Sequence, residues 1–505
     1  MNHVIERLKQ ISNHVYIDGQ LRKSKATETV DVIEPATETV LGSIAQSPTA
    51  EIDEALASCA PAQKKWWRDF SALDRAHAIH EMADKLREMR PLLAEALTRE
   101  MGKPYKESCD EVDWSIHSLR HSAEMGRNEQ GRVMGPAVAR QFHYTLKQPR
   151  GTAALIMPFN YPLVLLCWEA GAALATGNAV IVKPSEYTSL TTLLFAEATK
   201  SLPDGLFQIV TGGGRVGQHL VEHRDTHVIA FTGSVPVGRA VAKACGERIK
   251  PSLIETSGND PFLIMPSAPL DVAARAAAFS AYMNCGQICV SAERFYVHQD
   301  IHDEFVEKLI AETAKLRIGN GLDRVDMGPM VSSKERDRYE TLLNGAIGEG
   351  ARAAIGGSRP AGFNRGWFVE PTVLVDCTPE MSVFHNESFG PVAPICKVRD
   401  FNEAMDLANA SEFGLGANIY TMDLEETIRA TEELQAGMVW VNAPLLDNDA
   451  GPFGGSKLSG MGRQLGPEGL EMFRETKMIM IDPRSETQDF WWFPYADDTM
   501  HPKAK

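Results

Sequence analysis

Cys289, in the run Asn284-Cys285-Gly286-Gln287-Ile288-Cys289-Val290, is a residue whose type and setting suggest chemistry. A cysteine more often packs as a small hydrophobe, so the reading depends on its companions. Glu255 stands 34 residues earlier and closes the apolar run Ser252 to Ile254. Asn160 stands in Pro158-Phe159-Asn160-Tyr161-Pro162, after the apolar run Ala153 to Met157. A thiol, a carboxylate and a side-chain amide make up a nucleophile, a general base and an oxyanion donor. Cys285 is the competing thiol, four residues before Cys289.

These residues need elements to position them. Ile52 to Met101 is rich in Ala, Leu, Glu, Lys and Arg at helical spacing and reads as helices, stopped by Gly102-Lys103-Pro104. Beyond it, short runs rich in Val, Ile, Leu, Ala and Phe alternate with helical stretches. The runs are Ala153 to Met157, Ala179 to Val182, Phe207 to Val210 and His227 to Phe231, with helices over Leu190 to Leu202 and Gly217 to His223. A second alternating block begins near Pro261, with helices over Asp271 to Met283 and Ile301 to Lys315 and a strand over Arg294 to His298. Alternation of this kind implies βαβ units and a mostly parallel sheet, here two blocks across a crevice. Arg140 to Lys147 and Lys477 to Ile481 read as strands without helices of their own. They either complete a sheet in a neighbouring subunit or form a local hairpin.

Three loops at strand ends are candidates for an anion or a ribose. Gly212-Gly213-Gly214-Arg215-Val216-Gly217 matches G-x-G-x-x-G, but no acidic residue stands about 20 residues on at a strand end. Those glycines read as a tight turn. In Phe231-Thr232-Gly233-Ser234-Val235-Pro236 a strand runs into a Gly-Ser turn and a helix, which would aim free N–H groups and the Ser234 hydroxyl at a phosphate. Taken alone it is an ordinary capped helix, and Arg239-Ala240 stands where a nucleotide-hydrolysing loop needs Lys-Ser/Thr. Lys183-Pro184-Ser185-Glu186 ends another strand. Glu186 could accept from both hydroxyls of an adenosine ribose and repel a 2′-phosphate, which favours NAD.

Composition bounds the rest. A chain of 505 residues suggests about three domains, and a net charge of −16 argues against nucleic acid or an anionic membrane as partner. With 44% apolar and 23% charged residues it is an ordinary globular chain. Eight cysteines without a CxxC make neither a disulfide scaffold nor a zinc ribbon and suit a reducing compartment. The N-terminus is charged where an export signal is apolar, and Pro162 to Val182 is broken by Glu169, Gly171, Gly177 and Asn178, so the expectation is a cytoplasmic protein with no membrane span. His77 and His80 read as surface residues, and Asp447 with Asp449 lacks further ligands at metal spacing, so no metal is expected.

Seven motifs in order resemble those of the aldehyde dehydrogenase superfamily: Pro158-Phe159-Asn160-Tyr161-Pro162, Lys183-Pro184-Ser185-Glu186, Phe231-Thr232-Gly233-Ser234, Glu255, Gly286-Gln287-Ile288-Cys289, Glu387-Ser388-Phe389-Gly390-Pro391 and Pro452-Phe453-Gly454-Gly455. The resemblance covers nearly the whole chain. It implies an α/β fold of two open parallel-sheet domains plus a small β oligomerisation segment. Residues 1–126 and 150–254 would bind NAD, 255–452 would be catalytic, 127–149 and 472–487 would supply oligomerisation strands, and 488–505 would be an aromatic extension. It implies a homodimer or homotetramer acting on a small-molecule aldehyde with NAD, NADP remaining open. Cys289 would be the nucleophile, chosen over Cys285 by the Gly-Gln-x-Cys spacing. Asn160 and the Cys289 N–H would hold the oxyanion, and Glu255 would activate water. Lys183 and Glu186 would hold the adenosine ribose, Gly233 and Ser234 the pyrophosphate, and Phe159, Glu387 and Phe389 the nicotinamide side. Sulfur makes an aldehyde carbon tetrahedral so that it gives up hydride, and a lowered thiol pKa makes the attack efficient. One departure is Thr256-Ser257-Gly258-Asn259 after the base, where the family usually has Leu-Gly-Gly-Lys. A coenzyme-A-acylating enzyme is the alternative, and a binding protein that has lost turnover is another.

Trp168 stands where family members acting on succinic semialdehyde carry a carboxylate-binding Arg. Tyr161 and Trp168 resemble the aromatic pair of the aminoaldehyde and betaine-aldehyde branch, which accommodates a cation. With Phe453 and Asp447 they form the expected pocket, and an ω-aminoaldehyde leads, followed by aliphatic or aromatic aldehydes. Asp110, Glu111 and Asp113 are either tunnel acids or a solvated helix face. The aromatic run Phe490-Trp491-Trp492-Phe493-Pro494-Tyr495 is expected to pack on a neighbouring subunit or on the chain's own surface.

Overall fold

The computed structural model describes residues 2–128, 130–487 and 492–493. The expected helical run divides into Thr49–Asp69 and Ala72–Met101. Ser71 separates them because it caps the second helix reciprocally with Asp74, and Gly102 stops that helix at φ +96°. A third helix, Tyr105–Asn128, follows, then the buried helix Pro162–Ala175, whose 14 residues are all covered. That last helix is the most apolar stretch of the sequence, and it is buried because apolar residues surround its axis on every side. Among the described residues no helix is long and apolar enough to cross a membrane.

Two sheets carry the architecture. In the first, Phe207–Ile209, Ala179–Lys183, Thr152–Ile156, Val228–Thr232 and Ser252–Glu255 lie parallel in that order. Every residue of Ala179–Lys183, Thr152–Ile156 and Val228–Thr232 is buried, as a parallel sheet covered on both faces requires. The strand order reverses between Thr152–Ile156 and Val228–Thr232, which opens a crevice at their carboxyl ends. The sheet's two edges were not anticipated. His14–Ile17 and Gln20–Lys23 close one side, and Gly460–Met461 pairs antiparallel with Ser252–Glu255 on the other. In the second sheet, Thr372–Cys377, Val392–Val398, Ala292–His298, Asp260–Ile264, Gly416–Tyr420 and Met438–Val441 are parallel, with Arg352–Ile355 antiparallel at the edge.

Glu255 ends a strand of the first sheet and Asp260 begins one of the second, so Thr256-Ser257-Gly258-Asn259 is the whole connection between them. The first sheet therefore faces the crevice with its carboxyl ends and the second with its amino ends. The two outlying strands pair with each other: Arg474–Ile481 runs antiparallel to all of Phe142–Pro149, with Val133–Met134 beyond. The two strands pair within the chain, over more than 300 residues of sequence rather than as a local hairpin, and the exposed side chains of this sheet include Val133, Phe142, Met478 and Met480. The aromatic extension lies outside the described residues except for Trp492 and Phe493, both exposed.

Candidate active site

Of the eight cysteines, Cys289 alone is not buried; it opens into a cavity of about 250 Å³ shared with Asn160, Tyr161, Trp168 and Phe453. Cys285 is buried with its sulfur 3.7 Å from Met330 Sδ, which removes it from the chemistry. The loop before Cys289 is held in an uncommon shape. Asn284, Cys285 and Gly286 have φ of +51°, +56° and +70° in succession, a left-handed run that L-residues sustain only when their surroundings fix it. Gly286 is required there, since a Cβ would come within 2.3 Å of the Gly390 carbonyl. Gln287 locks the turn, donating to Asn284 O at 3.0 Å and accepting from Val331 N at 3.0 Å. Gly258 passes so close to the Cys289 carbonyl that a Cβ would lie 2.0 Å from the oxygen.

Asn160 is anchored through its own carbonyl, which accepts from Lys103 Nζ at 2.6 Å and Asn284 Nδ2 at 3.3 Å. Lys103 has no exposed side-chain surface and pairs with Glu111 at 2.7 Å. Its ammonium also lies 3.7 Å from the Tyr161 ring centroid. Glu111 in turn accepts from the Leu163 and Val164 N–H groups, capping the buried helix that follows Asn160. Asp110 pairs with Lys106, and Asp113 with Arg90. None of these three acids lines the cavity, so the tunnel-acid reading of them is corrected: two sit on a paired surface and one is structural.

Glu255 is buried beside the Cys289 thiol, and burial first, then the Glu387 and Glu169 charges, bring its carboxyl up to about 8 against the opposing hydrogen bonds from Cys289 and Thr232. The same crowding pushes the Cys289 thiol well above its ordinary value, through the protein packed round the sulfur and then the Glu255 and Asp260 charges. The expected lowering is therefore corrected. Among the described residues, the charges that act most on this sulfur are carboxylates, which favour the thiol form. Glu169, also buried and raised to about 8 by burial, accepts from Gln464 Nε2 at 2.6 Å. Gln464 reaches Thr232 Oγ1 at 3.5 Å, and Thr232 hydrogen-bonds Glu255. The four form a chain from the base into the core.

The altered loop after Glu255 is firmly placed. Thr256 Oγ1 donates to Leu458 O, Ser257 O accepts from Ser459 Oγ at 2.8 Å, and Gly258 N donates to Glu387 Oε1 at 3.0 Å. Asn259 Nδ2 donates to Glu293, which also receives the Ser388 and Phe389 N–H groups. One loop thus ties Glu255 to Glu387 and Phe389. The rings of Phe389, Phe159 and Tyr187 follow edge to face, at 5.8 and 5.5 Å.

Beyond them a cleft of about 640 Å³ is lined by Lys183, Glu186, Gly233 and Ser234, at the switch point of the first sheet. Ser234 is the N-cap of Val235–Glu247 and makes no capping bond, so its hydroxyl remains available. Lys183 Nζ donates to Pro184 O and Gly212 O, at 2.8 and 2.9 Å, and lies 3.9 Å from Glu186. Gly212, at φ +135°, makes a tight turn against Gln46, while Gly214 and Gly217 line the cleft.

In the cavity, the Trp168 and Phe453 rings meet at 5.0 Å with a tilt of 56°, and Trp114 approaches Tyr161 at 6.4 Å. Asp447 and Asp449 both line it, with His117, and among the described residues no Lys or Arg does. Asp447 is an exposed residue whose carboxyl is crowded by protein; that crowding, then the Asp449 charge, raises it to about 7. Sequence reasoning missed Trp114, His117 and Asp449 as cavity residues. The only signal was the i, i+3 spacing of Trp114 and His117 on one helix.

The sequence model of the aldehyde dehydrogenase family matches residues 21–479. The chain is 35% identical over 474 residues to 3,6-anhydro-alpha-L-galactose dehydrogenase of a Vibrio sp., covering 93% of this chain and 98% of that one. It resembles the structure of Staphylococcus aureus betaine aldehyde dehydrogenase in complex with NAD+ at a TM-score of 0.93 and 31% identity, over 96% of this chain and 98% of the other. An E. coli NADP-dependent enzyme superposes at a TM-score of 0.91 with 34% identity, over 94% of this chain and 99% of that one.

Proposed function

The chain belongs to the aldehyde dehydrogenase family, and from that premise we propose that it oxidises an ω-aminoaldehyde to the acid with NAD. The observation that carries the reading is the Glu255 carboxyl against the one accessible thiol, at the inner end of a cavity that also holds Asn160. As the sulfur bonds to the aldehyde carbon, Glu255 takes the thiol proton, and the carbonyl oxygen becomes an oxyanion held by Asn160 Nδ2 and the Cys289 N–H. The tetrahedral carbon then gives up its hydride to the nicotinamide, which is the chemistry NAD supplies when bound, and a thioester remains on Cys289. Glu255, deprotonated again, takes a proton from water as it attacks; the C–S bond breaks and the acid leaves. Thr232, held by Gln464 on Glu169, hydrogen-bonds the base and fixes its carboxyl.

The cleft suits a dinucleotide: Glu186 faces it as a ribose acceptor, and Ser234 offers a free hydroxyl at a helix N-terminus. The half-buried Glu186 carboxylate disfavours a 2′-phosphate, which argues for NAD over NADP. For the substrate, two aspartates, four large aromatic rings and, among the described residues, no Lys or Arg in the lining favour a cationic tail over an anionic one. The exposed apolar face of the three-stranded sheet suits self-association into a homodimer or homotetramer. The test is NADH formation from a panel of aldehydes by the wild type beside Cys289→Ala. Turnover by the wild type alone, with 4-aminobutanal preferred to propanal at limiting concentration, supports the reading. Equal turnover of the two defeats the cationic substrate, and NADH only when coenzyme A is added defeats hydrolysis.

A further inference from the structure

Away from the tunnel, three side chains converge on the outer wall of the dinucleotide cleft. His219 and His223 lie one turn apart on and just after helix Gly214–Glu222, and Asp53 reaches them from helix Thr49–Asp69. Asp53 Oδ1 lies 2.7 Å from His219 Nε2 and 3.4 Å from His223 Nε2. One ligand atom from each falls within 4.8 Å of the others. Two imidazoles at i, i+4 with a carboxylate are the donor set of a zinc-type site, which takes nitrogen at about 2.0–2.1 Å and leaves a fourth position for water.

We propose that Asp53, His219 and His223 bind a divalent transition metal of the zinc type, which staples the two helices together. The surroundings support it. The Asp225 carboxylate lies 3.9 Å from His223 Nδ1, close enough to move in and accept a hydrogen bond from that nitrogen once metal binding at Nε2 leaves the ring proton there. The Asp225 N–H now donates to that nitrogen at 3.1 Å, so binding exchanges one contact for the other. Lys250 is the opposing charge: its Nζ donates to the His223 carbonyl. The side-chain exposures of His219 and His223, 28% and 17%, leave an ion a path in. The opposite face of the same helix, with Gly214, Gly217, Gln218 and Val221, lines the cleft, so the ion would stiffen one wall of the coenzyme site without touching it.

The Cys289 thiol is itself a soft-metal ligand, so the test uses Cys289→Ala protein stripped with a chelator. Titration with Co²⁺, read by its ligand-field absorption, is expected to give one ion per chain, and Zn²⁺ is expected to displace it and raise the thermal unfolding midpoint. Adding His219→Gln and His223→Gln should abolish both effects, and Asp53→Asn should weaken Co²⁺ binding at least tenfold. In a Cys289 background the two histidine substitutions should leave metal-free dehydrogenase activity unchanged, which shows that those variants fold. Absence of Co²⁺ binding, or binding that survives the histidine substitutions, overturns the proposal.

Discussion

Lys103 touches no substrate in this reading, yet its replacement by Met should damage both stability and catalysis. Its ammonium is fully enclosed and makes contacts of 2.7 Å to Glu111, 2.6 Å to the Asn160 carbonyl and 3.7 Å to the Tyr161 ring centroid. Removing one partner of a buried pair strands the other charge, at a cost of about 3–5 kcal/mol. Glu111 keeps the Leu163 and Val164 N–H groups, so the lower end of that range, about 3 kcal/mol, is expected here. The catalytic loss has a separate origin. Complete loss of an oxyanion donor costs about 10²–10³ in rate. Asn160 retains its weaker hold from Asn284 at 3.3 Å, so about 10- to 100-fold is expected, seen in the pre-steady-state burst of NADH because the step affected precedes deacylation. Urea unfolding supplies the stability measurement. The double variant Lys103→Met/Glu111→Gln separates the two effects: with no charge left stranded, most of the stability should return, while the burst rate stays low. If Lys103→Met keeps the wild-type burst rate, or if the double variant regains it, the view that the ion pair positions Asn160 is wrong.

Four further outcomes are expected. Glu255 must be ionised to act and its carboxyl sits at about 8, so kcat should rise with pH through about 8; Glu169→Gln should move only the upper part of that rise to lower pH, because Glu169 carries its charge only as the pH nears 8. Glu169 itself stays protonated in the fold until about pH 8, against 4.5 for an ordinary glutamate, so it destabilises the fold increasingly as pH climbs between those values, and Glu169→Gln should gain more than about 1 kcal/mol over wild type at pH 9 in urea unfolding. Asp447→Asn should lower kcat/KM for 4-aminobutanal about 10-fold at pH 8 and leave propanal unaffected, since a unit charge pair about 5 Å apart at an effective dielectric near 40 is worth about 1.7 kcal/mol. Gly286→Ala should cost about 2 kcal/mol or more and slow alkylation of Cys289 by iodoacetamide, because the new Cβ meets the Gly390 carbonyl at 2.3 Å in a left-handed backbone.

The alternation of strands and helices was legible because period and punctuation are local properties. Gly102 stopped its helix, Glu255 ends its strand as read, and Asn160 stands in the loop four residues after Thr152–Ile156. What escaped the sequence depends on partners far along the chain. Gly460–Met461 is two residues long and carries no pattern of its own; only the free edge of Ser252–Glu255 makes it a strand. Lys103 looked like part of a helix stop, because a buried ion pair is invisible until both partners are placed. The direction of the Cys289 shift was misread for the same reason. A nucleophile's residue type suggests activation, but the charges around it here are carboxyls brought in from Ser252–Glu255 and from the start of the next sheet.

The late return of the chain to its first sheet also shapes its synthesis. Until Gly460–Met461 emerges, the strand that carries Glu255 has a bare flank, and Phe142–Pro149 lacks its eight-residue partner Arg474–Ile481. At about 5–20 residues per second, the roughly 200 residues between Glu255 and Met461 take about 10–40 s to appear. Through that interval the nascent protein displays two pairing edges that a second nascent chain on the same message could fill. Vectorial folding from the N-terminus therefore stalls with an open template, and a holdase that covers strand edges is the assistance this topology calls for.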